Sequence, residues 1–180
     1  MNININTFNH WAIKDKDLAM QEGHENAVAY MLELIADQFN KEFSFLDIGC
    51  GNGWVVEKVS KFKNCSLSEG VDGAPEMIKK AKQKDLSSNY YLEDIENWTP
   101  IKNYDLIFSM EVFYYFKHPD NIIGTLVKHL NKDGILIVGI DHYAENTSTL
   151  NWDKEYNIST NTFSIDKWKS FFSNAGLDDI

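Results

Sequence analysis

The chain contains no arginine: all 17 basic residues are lysines, against 27 acidic ones, for a net charge of −10. Nucleic-acid binding wants a basic footprint, and bidentate phosphate or guanine recognition favours arginine. DNA and RNA are therefore excluded as expected partners. No apolar run approaches the ~18 residues that a membrane-spanning helix needs. The Asn-rich segment Met1–His10 lacks a basic region followed by an apolar core, so it does not read as a signal peptide. The two cysteines, Cys50 and Cys65, have no metal-ligand spacing. They are expected as reduced thiols in a cytoplasmic protein with no bound metal.

What is present is enough for one domain with a sizeable core: 180 residues, 43% hydrophobic and 13% aromatic. Strand and helix signals alternate, which predicts an α/β domain with a parallel sheet. The spacing of Ala27, Met31, Leu34 and Ile35 predicts a helix over Gly23–Asn40. Strands are expected at Phe43–Ile48, Ser66–Val71, Tyr90–Leu92, Tyr104–Ser109 and Ile135–Ile140. Helices are expected at Val55–Phe62, Glu76–Gln83 behind Pro75, Pro119–Leu130 and Ile165–Ala175. A turn is expected at Asn131–Gly134, and Asp141–Ser164 reads as a polar stretch.

The most telling segment is Phe45-Leu46-Asp47-Ile48-Gly49-Cys50-Gly51-Asn52-Gly53-Trp54. A buried strand leads through an acid into three glycines at alternate positions. Such a turn lets a ligand approach the main chain closely, as happens at the C-terminal edge of parallel sheets that bind nucleotide-like molecules. A dinucleotide fingerprint needs a glycine where Trp54 stands, so an NAD-dependent oxidoreductase is a poor reading. A phosphate-binding P-loop fails because no Gly-Lys-Ser/Thr follows.

From these residues onward the chain resembles the class I S-adenosylmethionine (SAM)-dependent methyltransferases, over roughly residues 43–140. The acid and glycine turn are Asp47, Gly49, Gly51 and Gly53. The acid ending strand two is Asp72, within Gly70-Val71-Asp72-Gly73-Ala74-Pro75-Glu76-Met77. An acid after strand three follows, Asp94 in Tyr91-Leu92-Glu93-Asp94-Ile95. Strand four is Tyr104-Asp105-Leu106-Ile107-Phe108-Ser109-Met110-Glu111-Val112, and Leu130-Asn131-Lys132-Asp133-Gly134 turns into strand five.

The resemblance implies a Rossmann-like α/β/α sandwich with strand order 3-2-1-4-5. It also implies two further strands, six and seven, that would lie beside strand five. The chain stops at Ile180, where the first of them should begin, so a C-terminally truncated fragment is expected. Otherwise a partner, such as the second copy of a homodimer, or the Asp141–Ser164 segment has to cover the apolar edge of strand five. Residues 1–42 are expected as a lid segment and helix packed on a methyltransferase domain over residues 43–180.

The implied activity is methyl transfer from SAM to a small-molecule acceptor, leaving S-adenosylhomocysteine; a SAM-binding regulator without catalysis is the alternative. The implied cofactor contacts are Asp47, Gly49, Cys50, Gly51, Gly53, Asp72, Gly73, Met77, Asp94, Ile95, Ser109, Met110 and Glu111. Asp72 would accept from the ribose hydroxyls, Asp94 from the adenine amino group, and backbone amides, water or a lysine such as Lys14 would meet the methionine carboxylate. Acceptor contacts are expected from Trp11, Met20, His24, Tyr114, Tyr115, His142 and Tyr143. The candidates for proton transfer are His24, His142 and Tyr114, histidine because its unperturbed pKa lies near neutrality.

Overall fold

The computed structural model describes residues 2–178 and 180. Five strands form one sheet in the order β3-β2-β1-β4-β5: β1 Phe43–Ile48, β2 Cys65–Asp72, β3 Asn89–Leu92, β4 Tyr104–Met110 and β5 Leu130–Gly139. Every pairing is parallel, so each strand's C-terminal end lies on the same edge. Parallel strands need crossovers, and the helices that supply them cover both faces.

Alternation along β1 assigns the two faces. Phe43 and Phe45 point into a core shared with helices α2 (Lys16–Leu34), α3 (Trp54–Ser60) and α4 (Pro75–Lys84). Leu46 and Ile48 point into the opposite core, with Ile122, Ile123 and Leu126 of α5 (Pro119–Val127) and Trp168 and Phe171 of α7 (Ile165–Asn174). The expected three-layer α/β/α sandwich and its strand order are what the structure shows.

Three local readings are corrected. The N-terminal helix is not Gly23–Asn40 but α2, Lys16–Leu34, followed by a 3₁₀ segment, Ala36–Asn40. The true apolar stripe is Val28, Met31, Leu32 and Ile35; Ala27 is exposed, and Leu34 is 62% exposed. An unanticipated helix α1, Ile3–Ile13, precedes it. Its sequence is rich in Asn and carries no clean apolar stripe, which is why periodicity missed it.

Helix α5 stops at Val127, and β5 already begins at Leu130. Tyr104 pairs with Leu130 and Leu106 with Ile135, so residues 131–134 form a bulge inside the strand rather than a turn before it. The segment 141–164 holds a short helix, α6 (Trp152–Tyr156). Its Trp152 packs near Tyr114 and His142, with ring centroids 6.2 and 5.9 Å apart. Strand β5 borders the described sheet, and its residues 135–139 are half-buried.

Candidate functional site

The parallel register delivers the tips of β1, β2, β3 and β4 to one edge, where they wall a cavity of about 1050 Å³ counting its open mouth. The turn after β1 forms its floor. The Gly49 and Cys50 amides donate to the Val71 carbonyl at 2.8 and 3.0 Å, which ties the turn to β2. Gly49, Gly51 and Gly53 have φ of +75°, +51° and +76°, a region that side chains disfavour. A Cβ on Gly51 would meet only the Met77 sulfur, at 3.9 Å, so this glycine faces open cavity space.

Two carboxyl groups flank the turn and differ in how they are satisfied. Asp72 accepts from the Gly51 amide at 2.9 Å and from the Ala74 amide at 2.8 Å. Burial raises its pKa, and these amides oppose the rise. Asp47 is 3% exposed, lines the cavity and has no side-chain hydrogen bond among the described residues. Burial first, and the Asp72 charge second, push its carboxyl well above the usual range. Its oxygens are not sealed in the core but open onto the cavity, within reach of a ligand's donors. Asp94 opens a 3₁₀ turn, accepting from the Glu96 amide at 3.3 Å, and Ile95 beside it is buried against the cavity.

At the tip of β4, Glu111 is 7% exposed and has φ of +61°. Its Oε1 accepts from the Asp141 amide at 2.6 Å and its Oε2 from the Tyr114 hydroxyl at 2.8 Å. Burial lifts its pKa to about 7, the Tyr114 hydroxyl lowers it in part, and the Asp141 charge adds to the rise. The Tyr114 and Tyr115 hydroxyls lie 3.1 Å apart, which extends the hydrogen-bonded chain.

The N-terminal helices form the remaining wall. Ile5, Phe8, Asp17, Met20, Gln21 and His24 all line the cavity. The join is polar at one point: Asn52 donates to Asp17 at 2.9 Å, and Asp17 pairs with Lys80 at 2.6 Å. It is apolar at another, where Phe8 meets Tyr115 edge-on with centroids 5.1 Å apart. Partial burial lowers the His24 pKa, and the Asp141 charge opposes this.

The cavity thus gathers Asp47, Gly49, Cys50, Gly51, Asp72, Gly73, Met77, Asp94, Ile95, Met110 and Glu111 of the expected cofactor set, with Met20, His24 and Tyr115 of the expected acceptor set. Other expectations are corrected. Gly53 lies beneath the turn against Ala81 and Tyr90. Ser109 is fully buried and donates to the Ile48 carbonyl at 2.7 Å. His142 is fully buried away from the cavity, its ring held by the Thr149 carbonyl at 3.1 Å and the Thr162 hydroxyl at 2.8 Å.

Tyr143 packs on the face covered by α5 and α7. Tyr114 sits behind Glu111 rather than on the cavity surface. Trp11 packs edge-on against Phe8 and Tyr156 with centroids 5.2 and 5.8 Å apart, and Lys14 is exposed; neither lines the cavity. Cys50 does line it, but burial first, then Asp72 and Asp47, raise its pKa well above normal, so it is a protonated thiol and no nucleophile.

Asn2, Asn4, Ile5, Phe8, Asp17, Gln21, Asn52, Trp54, Val55 and Val112 line the cavity without having been assigned to it. Asn52 carried a usable signal, as a polar amide side chain inside a glycine turn. The residues of α1 and of the start of α2 carried none, because those helices were not legible.

A parallel sheet ordered 3-2-1-4-5, with a glycine turn after β1 and acids at the tips of β1 and β2 and just beyond β3, defines the class I SAM-dependent methyltransferase domain. Comparison with known proteins agrees: a family model described as a methyltransferase domain matches residues 20–180, and the chain belongs to that family.

Among curated relatives, malonyl-[acyl-carrier protein] O-methyltransferase 2 of Ilyobacter polytropus is 32% identical over 150 residues, 79% of this chain and 58% of that protein. Trans-aconitate 2-methyltransferase of Agrobacterium fabrum is 26% identical over 132 residues, 73% of this chain and 48% of that protein. The chain spans about half the length of the curated relatives it matches. Among solved structures, a chain from the complex of the Haloferax volcanii Trm112 methyltransferase activator with a methyltransferase superposes with a TM-score of 0.84. It is 24% identical, and the match covers 94% of this chain and 76% of that one. The DhpI–SAH complex gives 0.75 at 15% identity, over 97% and 86% of the two chains.

Proposed function

We propose that the chain binds SAM in this cavity and transfers its methyl group to a small-molecule acceptor, with the segment 1–42 acting as a lid over a catalytic domain at 43–180. The observation that carries the reading is the convergence of Asp47, Asp72 and Asp94 on one cavity around the Gly51 turn. The residues fit SAM on their own terms. Asp47 lacks a donor, and a cationic ligand would supply one. Asp72 keeps acceptor capacity beyond its two amide bonds, suited to a ribose diol. Asp94 and the Ile95 amide suit an adenine edge, and Met77 suits its face.

Bound SAM would supply a methyl group already activated on a sulfonium, which an acceptor's lone pair displaces while the C–S electron pair returns to sulfur. The protein's own work is then to align the acceptor and exclude water. Ile5, Phe8 and Met20 of the N-terminal helices and Tyr115 and Phe116 after β4 supply the apolar surface for both tasks. Two relatives carry malonyl and aconitate acceptors in their names, so a carboxylic acid is one acceptor class to include in any test.

Calorimetric titration with SAM, S-adenosylhomocysteine and NAD tests the reading directly. SAM and its product should bind and NAD should not; the reverse pattern removes the proposal. Release of S-adenosylhomocysteine over a metabolite panel then separates an enzyme from a silent binder.

A further inference from the structure

The cavity's charges are one-sided. Asp17, Asp47, Asp72, Asp94 and Glu111 all line it, and no lysine does so among the described residues. The only lining histidine among the described residues, His24, is biased towards its neutral form by burial. Asp17 is already paired with Lys80, and in the reading above Asp72 and Asp94 serve the ribose and the adenine. A single cationic ligand satisfies Asp47. Glu111 remains on the wall formed by the β4 tip, in a cavity that Tyr115, Phe8 and Phe116 also line.

The backbone at Glu111 supports a dedicated role. Its φ of +61° is a left-handed conformation that side chains disfavour. The strained residue is anchored three times: its amide donates to the Gly139 carbonyl at 2.9 Å, and the two carboxyl oxygens are held by Asp141 and Tyr114. The carboxyl is therefore fixed in orientation on a residue that lines the cavity, and each oxygen keeps a second acceptor position for a ligand. An ammonium offers Glu111 a charge-assisted hydrogen bond. A carboxylate placed beside Glu111 meets a like charge, and no lysine among the described residues lines the cavity to offset it.

Resting on the reading of the cavity as a methyl-donor site, we propose that Glu111 is the acceptor-recognising carboxylate and that the acceptor is a small amine carrying an apolar group. The amine arrives as an ammonium. One N–H proton passes to the Glu111 carboxylate, which leaves a neutral amine with a free lone pair and a carboxylic acid. The Tyr114–Tyr115 hydroxyl pair links that acid back to the cavity wall, from where the proton leaves to solvent.

The test uses the full chain and matched probes: phenethylamine, tyramine and N-methylbutylamine against 3-phenylpropionate, 4-hydroxyphenylacetate and pentanoate. Binding is measured by calorimetry with S-adenosylhomocysteine present, and turnover with SAM. Amines should bind and be methylated while the acids do neither. Glu111→Gln should weaken amine binding by about tenfold or more and cut kcat/KM by about a hundredfold, the loss of a charge-assisted bond together with a proton acceptor. Tyr115→Phe, a milder change, should reduce kcat more than it reduces amine affinity.

Methylation of the acids but not the amines overturns the amine assignment alone. So does a SAM-binding chain that neither binds nor methylates any amine of the set, and amine turnover that survives Glu111→Gln overturns the role of Glu111. Failure to bind SAM at all removes the methyl-donor reading beneath it, and this proposal with it.

Discussion

The Asp72 carboxylate and the Gly51 amide are joined by a 2.9 Å hydrogen bond across the mouth of the site, so the acid at the tip of β2 holds the glycine turn that follows β1. The same carboxylate accepts from Ala74 and opens α4. One side chain therefore shapes the floor and a side wall together. Asp72→Asn retains one acceptor oxygen and nearly the same shape, whereas Asp72→Ala leaves two amides without their partner. Asn should fold and lose about tenfold or more in SAM affinity, because a charge-assisted bond becomes a neutral one. Ala should lose more affinity and also about 1–3 kcal/mol of stability. Calorimetry and thermal unfolding of the two variants separate the contributions; equal affinity in Asn and wild type would remove the ribose role.

Two glycines of the same turn should respond oppositely to one methyl group. A Cβ at Gly53 would lie 2.7 Å from the Ala81 Cβ and 2.8 Å from the Tyr90 ring, inside the packed core. A Cβ at Gly51 would enter the cavity, 3.9 Å from Met77. Both substitutions pay roughly 1–2 kcal/mol for a left-handed backbone. Gly53→Ala adds overpacking of typically about 1–3 kcal/mol, so it should lower the melting temperature more. Gly51→Ala should stay folded and lose SAM affinity. Circular dichroism melts with SAM titrations check the pair, and a Gly51→Ala variant that binds SAM normally would move the ligand away from the turn.

The sheet and its order were legible because each signal was local and strong: apolar strands, glycine turns and acids at strand ends. The gathering of Asp47, Asp72 and Asp94 at one cavity was legible for the same reason. Helix α1 was not, because its folding depends on what it covers. Asn4 reaches the Ser159 carbonyl at 2.9 Å, and Asn9 reaches the Glu76 amide at 2.8 Å. Polar side chains that bridge elements distant in sequence leave no periodic trace. His142 and Tyr143 misled in the opposite way. Their place just after β5 suggested the ligand edge, but the chain turns them towards α6 and the second core, a path set by tertiary packing that no spacing records.

Glu111 should make stability depend on pH in an unusual direction. Its pKa is 4.5 in an unfolded chain and about 7 in the fold, so between these values the folded state binds more protons. Stability then falls as pH rises from 4.5 through 7, and the full penalty, up to about 3 kcal/mol, is present above 7. The groups around the carboxyl fit this sign. Burial disfavours its charge, the Tyr114 hydroxyl only partly compensates, and Asp141 adds repulsion. Glu111→Gln removes the ionisation, so it should melt higher than wild type at pH 8 and show no such advantage near pH 4. Unfolding curves at the two pH values check it; an equal difference at both would place the effect in packing instead.

His142 separates a structural from a chemical histidine. Its ring is fully buried between the Thr149 carbonyl and the Thr162 hydroxyl, and burial lowers its pKa below 6.5 against the pull of the Thr149 bond and the Asp153 charge. The unfolded chain binds the proton more tightly, so this group's contribution is complete above pH 6.5 and is lost as pH falls through and below that value. His142→Gln can keep one donor and one acceptor and has no such titration. The variant should therefore lose less stability than wild type between pH 7.5 and 5. His142→Phe leaves the two threonine groups unpaired and should cost about 1–3 kcal/mol at any pH. Neither substitution touches the cavity wall, so SAM affinity at pH 8 should match wild type within error in the Gln variant. A Gln variant that is fully stable but unable to bind SAM or to transfer a methyl group would return His142 to the site.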